Sequence, residues 1–176
     1  LQPRHLPAET IRYLFDSRYC PGERFRQFVM REFGDVKGGA LVIAMRDWIN
    51  DHLAYEPGSS NPTTTALDSF VERRGVCRDF AHLMVSLARA ACIPARYASV
   101  YAPGVTPQDF HAVAEVFLAD PEGPGGSWHL VDATLMAEAA DTVKIGVGRD
   151  AADVSFLTSF GDIMMEQQVV SVIRSD

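Results

Sequence analysis

The chain has 176 residues, 47% apolar and 22% charged, with 16 Lys and Arg against 23 Asp and Glu for a net charge of −7. That length suffices for one domain, 1–176, with its own core, and the acidic balance argues against the basic face that nucleic-acid binding requires. No apolar run reaches a membrane span, and the start, Leu-Gln-Pro-Arg-His, has no signal-peptide pattern, so a cytoplasmic piece of a longer protein is expected.

In chain order, helices come first. Phe25, Phe28, Val29 and Phe33 keep helical spacing up to Gly34, within an N-terminal helical extension over 1–38. The core is expected over 39–176. It opens with the stripe Leu41, Met45, Trp48, Ile49 and Leu53, then a Pro- and Gly-rich loop over 56–62. Thr63 to Thr65 offer N-caps to a short helix carrying Leu67, Phe70 and Val71, and Gly75 is placed to terminate it. A second helix follows at once through Phe80, Leu83, Met84, Leu87 and Ala91, ending at Pro94. The period then falls to two, predicting strands over 96–101, 111–119, 128–133, 143–147 and 168–173. Helices followed by consecutive strands predict an α+β domain with the helices packed on an antiparallel sheet.

Three cysteines, Cys20, Cys77 and Cys92, are too few for a disulfide scaffold and fit reduced thiols, although a Cys20–Cys92 bridge stays open. Cys77 differs from the others by its place. It follows Gly75 into the first turn of a helix, where unpaired N–H groups and the helix dipole favour thiolate and could hold an oxyanion. A small buried side chain is the competing reading of position alone.

A nucleophilic thiol needs a base, and the base an orienting group. His82 is five residues beyond Cys77 on the same helix, about 140° away in net rotation, and reads as structural. His52 suits a helix C-terminus, and His5 lies in a Pro-flanked end. His111 and His129 lie on two strands that can form a hairpin. Pairing Leu118 with Gly125 also pairs His111 with Asp132 on one face, while His129 points to the other. This register, if it holds, makes Cys77 the nucleophile, His111 the acid/base and Asp132 its orienter; a one-residue slip removes it. Glu115, about 13 Å along the strand from His111, is too far to take part. Trp48 and Tyr55 carry groups suited to an oxyanion donor, but both fit packing roles, and that donor stays unassigned.

Gly75-Val76-Cys77-Arg78-Asp79-Phe80-Ala81-His82-Leu83, Ile93-Pro94-Ala95-Arg96-Tyr97, Asp109-Phe110-His111-Ala112, Asp132-Ala133-Thr134 and 146–154 resemble the transglutaminase-like superfamily, especially its bacterial cysteine-peptidase branch. The resemblance implies a papain-like core in permuted order, with the thiol helix packed on the sheet. It places Cys77, His111 and Asp132 in the family's three catalytic positions, and it implies thiol chemistry on a peptide, protein or amide substrate without metal or organic cofactor. The calcium sites and extra β domains of animal transglutaminases have no counterpart here, so hydrolysis is expected over calcium-dependent cross-linking. A non-catalytic peptide-binding module on the same fold is the alternative. A metal site drawn from Cys77, Asp79, His82 and His111 matches no standard zinc spacing.

Overall fold

The computed structural model describes residues 3–155, 160–162, 164 and 166–174. After 3-10 turns over Ala8–Leu14 and Gly22–Phe25 come the helices α1 (Arg26–Phe33) and α2 (Gly38–His52). A two-residue strand β1 (Ala54–Tyr55), helix α3 (Ala66–Glu72), a second short strand β2 (Arg74–Gly75) and helix α4 (Cys77–Ala90) follow. The remaining strands are β3 (Ala95–Tyr101), β4 (His111–Ala119), β5 (Gly126–Val131) and β6 (Val143–Gly148). The fold is α+β: β3 to β6 form an antiparallel sheet in the order β5-β4-β3-β6, with helices packed on it. Among the described residues, no helix is long and apolar enough to cross a membrane.

Helix α4 is buried from Asp79 to Arg89. Its Leu83, Met84 and Leu87 share one core with Ala114 and Val116 of β4, Met45 and Ile49 of α2, and Phe25 and Val29 near the start of the chain. Val113 packs on the other side with Ala98 and Val100. Both faces of β4 are therefore covered, and its sequence reads as a nearly continuous apolar run. The charged member of that run, Glu115, is buried between Arg96 at 2.6 Å and Lys144 at 2.7 Å. Arg89 supplies the polar staple. Its guanidinium donates to the carbonyls of Tyr13 at 3.1 Å and Ala95 at 2.9 Å and to Ser17 Oγ at 3.0 Å, tying the N-terminal segment to α4 and β3.

Three expectations are corrected. The hairpin register is Leu118 opposite Ser127 and Ala119 opposite Gly126, two residues from the expected pairing. The connection falls one residue later than predicted, at 120–125, where Asp120 closes it, accepting from Glu122 N–H at 3.0 Å and donating its own N–H to Gly125 O at 2.9 Å. Helix α3 ends on Arg73, with φ of 58°, and not on Gly75. Gly75 instead allows close approach: a Cβ there would lie 2.7 Å from that of Asp79. Residues 168–173 form no strand. Val172 exchanges its backbone bonds with the Gln108 side-chain amide, at 2.9 and 2.7 Å, so alternation alone did not give this segment a neighbouring strand. Cys20 and Cys92 are free thiols; no bridge joins them.

Candidate active site

Helix α4 starts at Cys77, with extended Val76 as its N-cap. Asp79 Oδ2 accepts from Val76 N–H at 2.9 Å, and Oδ1 accepts from Ser60 Oγ at 3.0 Å. This buried carboxylate also pairs with Arg78 at 3.3 Å, so the first turn is fixed from both sides. Cys77 is half-buried on the wall of a cleft of about 860 Å³ that also includes Arg18, Tyr19, Arg78, Tyr97 and His111.

His111 opens β4, and Asp132 follows the last residue of β5. In the observed register Asp132 falls opposite Val113, diagonal to His111. A two-residue offset preserves the face, and a diagonal pair lies within reach of an imidazole. His111 Nε2 donates to Asp132 Oδ2 at 2.9 Å. The carboxylate is caged: Oδ1 accepts from Thr134 N–H at 2.8 Å and Oγ1 at 2.7 Å, and Oδ2 from Met136 N–H at 3.1 Å and Ala137 N–H at 2.8 Å. Leu135, at φ of 60°, makes the turn that aims these donors inward, and Asn50 of α2 holds the Ala133 carbonyl at 3.2 Å.

With Nε2 committed to Asp132, Nδ1 is the nitrogen left for chemistry. It is buried and makes no well-formed hydrogen bond, yet the Cys77 thiol is close enough to act on the ring. Slack of this kind is common before substrate tightens a catalytic contact. Burial alone would lower the proton affinity of His111; the Asp132 bond and Cys77 outweigh it and raise its pKa to about 9. Burial would push the Asp132 carboxyl up, but its bonds to His111 and Thr134 hold it below the ordinary carboxylate value.

Residues 30–133 match the sequence pattern of the transglutaminase-like superfamily. The chain belongs to that superfamily. The matched range includes Cys77, His111 and Asp132. This transglutaminase-like chain is 41% identical to a Cytophaga hutchinsonii protein named "Putative Cysteine Protease", with a TM-score of 0.86 over 92% of this chain and 54% of that one. It is 26% identical to the periplasmic domain of TgpA from Pseudomonas aeruginosa, with a TM-score of 0.56 over 77% of this chain and 49% of that one. An uncharacterized Mycobacterium leprae protein shares 32% identity over 119 residues, 65% of this chain and 42% of its own length. One from Mycobacterium tuberculosis shares 31% over 147 residues, 75% of this chain and 46% of its own. The chain thus spans less than half the length of these curated relatives.

Tyr55 is the site neighbour that sequence reasoning assigned to packing. The parallel pairing of Tyr55 with Gly75 sets its ring beside the start of α4. Its hydroxyl lies close to the Cys77 thiol and backbone N–H, and burial together with the thiol's charge pushes the phenol up to about 12. Two-residue strands have no periodicity, so nothing in the sequence announces this pairing. Trp48 stacks on His52 with centroids 4.3 Å apart, while His52 Nδ1 caps α2 through Trp48 O at 2.8 Å. Among the described residues, no three metal-ligating side chains converge on one point.

His82 stands away from the thiol, as rotation along α4 implies. It is buried against the Tyr19 ring at 5.1 Å, its Nε2 accepts from Ala151 N–H at 3.2 Å, and its Nδ1 has no hydrogen-bond partner among the described residues. Burial, reinforced by the Arg78 charge, lowers its pKa to about 3. The unfolded chain takes up this proton below about pH 6.5 and the folded protein does not. Stability present above pH 6.5 is therefore lost as pH falls toward 3, by at most about 1.4 kcal/mol per pH unit from this group. In His82→Phe that share of the slope disappears, as urea titrations between pH 3 and 7 would measure; an identical slope in the variant disproves the assignment.

Proposed function

We propose that this transglutaminase-like chain is a thiol-dependent hydrolase of peptide, protein or other amide bonds, acting through an acyl-cysteine, with transfer to an amine as its alternative second step. Cys77 Sγ attacks the carbonyl carbon as a thiolate. The oxyanion is held by the Cys77 N–H and the Tyr55 hydroxyl, which lie close together at the helix start. Imidazolium His111 gives its Nδ1 proton to the leaving amine and the C–N bond breaks. Water then loses a proton to Nδ1 and attacks the thioester carbon, and the C–S bond breaks to restore the thiolate. Asp132 keeps the other proton on Nε2 throughout.

The observation that carries this reading is the 2.9 Å His111–Asp132 contact, which leaves Nδ1 uncommitted on a ring close to the thiol at a helix N-terminus. On this reading the chain acts as a single catalytic domain over 1–176.

Iodoacetamide at pH 6 tests the activated thiol. An ordinary thiol is under about 1% ionised there, so Cys77 should be alkylated at least about tenfold faster than a free peptide thiol. Exposed Cys92 should react at the ordinary rate, and Cys20, buried with its thiol pushed up to about 12, should not react. Replacing His111 should slow Cys77. Labelling of Cys77 no faster than the peptide would end the proposal.

A further inference from the structure

The cleft carries a charge pattern that the hydrolytic steps do not use. The whole chain is acidic, yet among the described residues Arg18 and Arg78 line the cleft and no Asp or Glu does. Both guanidiniums flank one ring: Arg18 Cζ lies 5.0 Å from the Tyr19 centroid and Arg78 Cζ 5.8 Å from it. The ring is fixed, its hydroxyl donating to Pro62 O at 2.8 Å and its face stacked on His82.

The two arginines differ in what already holds them. Arg78 is committed to Asp79, to the Ser60 hydroxyl and to Asn61 O at 2.7 Å. Arg18 is exposed and makes no ion pair or hydrogen bond among the described residues, only the stacking on Tyr19. Neighbouring carboxylates do not quench it. Asp150, beneath Tyr19, spends its oxygens on the N–H groups of Tyr19 at 3.0 Å and Ala152 at 2.9 Å. Asp109 is near Tyr55 and is engaged by Phe110 N–H at 2.7 Å and by Gln168. A planar fork with free donors, stacked on an aromatic face, suits bidentate binding of a carboxylate.

We infer that the cleft selects acidic peptides, with Arg18 the specificity-determining cation for a carboxylate side chain next to the attacked carbonyl. The position follows from Arg78, the residue after the thiol, which shares the Tyr19 ring with Arg18. Arg78 adds field at that point, while Arg18 has the free donors. This inference rests on the amide-hydrolase reading above.

Matched N-acetyl tripeptidyl vinyl sulfones, with Glu, Gln or Lys placed at each position in turn, provide the test. Cys77 Sγ adds to the vinyl carbon, the adjacent carbon takes a proton, and intact mass follows the adduct with time. At the position next to the sulfone Glu should react at least about tenfold faster than Gln, and faster still than Lys, with the advantage shrinking in high salt. Arg18→Gln should bring the Glu-to-Gln ratio within about twofold of unity, and Arg18→Lys should retain part of it. Glu no faster than Gln at the position next to the sulfone, or a ratio unchanged in Arg18→Gln, overturns the inference while rapid iodoacetamide labelling keeps the thiol reading intact. Loss of that rapid labelling overturns both.

Discussion

Cys77→Ala should abolish acyl transfer while leaving the fold and the cleft in place. Removal of a catalytic nucleophile costs on the order of 10⁶ in kcat, so amide hydrolysis should fall to background. The folded state has little to lose. Cys77 is half-buried at the first position of α4, where Ala is a good helix former, and a substitution of this kind stays within about 0.5 kcal/mol. No other thiol can stand in, because Cys20 is buried with its proton held up to about 12 and Cys92 sits at the far end of α4. Incubated with a mixed peptide and amide library, the native protein should gain the mass of an acyl group on the peptide containing Cys77, and the variant none. Turnover by Cys77→Ala above about 1% of native would require a different nucleophile. Tight binding by the native protein, with release of unaltered peptide and no adduct, would instead establish a binding module on this fold.

What the sequence announced here was local, and what it withheld was pairing. Strand β4 occupies the predicted range His111–Ala119, because two covered faces leave a run of apolar residues that only Glu115 interrupts. The start of α4 at Cys77 was likewise legible, from the glycine-led turn and the apolar spacing that follows. The register between β4 and β5 was not, since it depends on how Asp120 folds a loop whose side-chain bonds leave no period behind. The His111–Asp132 contact was nevertheless reached, because an even error in register preserves the face. Tyr55 was missed as a thiol neighbour for the same kind of reason: parallel pairing with Gly75 joins segments twenty residues apart through strands too short to carry a pattern. Residues 168–173 show the converse, a strand-like alternation whose backbone partner is the side chain of Gln108.

Asp132→Asn should be nearly as damaging as loss of the thiol, through proton placement more than through folding. Every hydrogen-bond partner of this carboxylate among the described residues is a donor: Thr134 N–H and hydroxyl on Oδ1, and His111 Nε2, Met136 N–H and Ala137 N–H on Oδ2. An amide keeps one acceptor oxygen and substitutes an NH₂ for the other. With that NH₂ toward His111, Nε2 must become the acceptor and the proton moves to Nδ1, the nitrogen that has to receive a proton during deacylation. A triad with its imidazole in the wrong tautomer loses about 10⁴ in kcat. With the amide flipped, Thr134 loses its acceptor instead, and a buried donor left unpaired costs about 1–3 kcal/mol. The variant therefore unfolds at a lower temperature in either arrangement. The pH profile separates the catalytic effect from the structural one. The raised pKa of His111, about 9, places the alkaline limb of the native activity there, where the leaving-group proton is lost. Without the Asp132 charge, burial dominates and the limb moves to lower pH. Stability follows the same proton: between about pH 6.5, where an unfolded histidine titrates, and 9, the folded protein retains it. The native protein therefore loses that stabilisation as pH rises through this window, and the variant should lose less. Rate profiles and melting curves from pH 5 to 10 measure both. A limb unmoved from 9, or activity within tenfold of native, would remove Asp132 from the proposed mechanism.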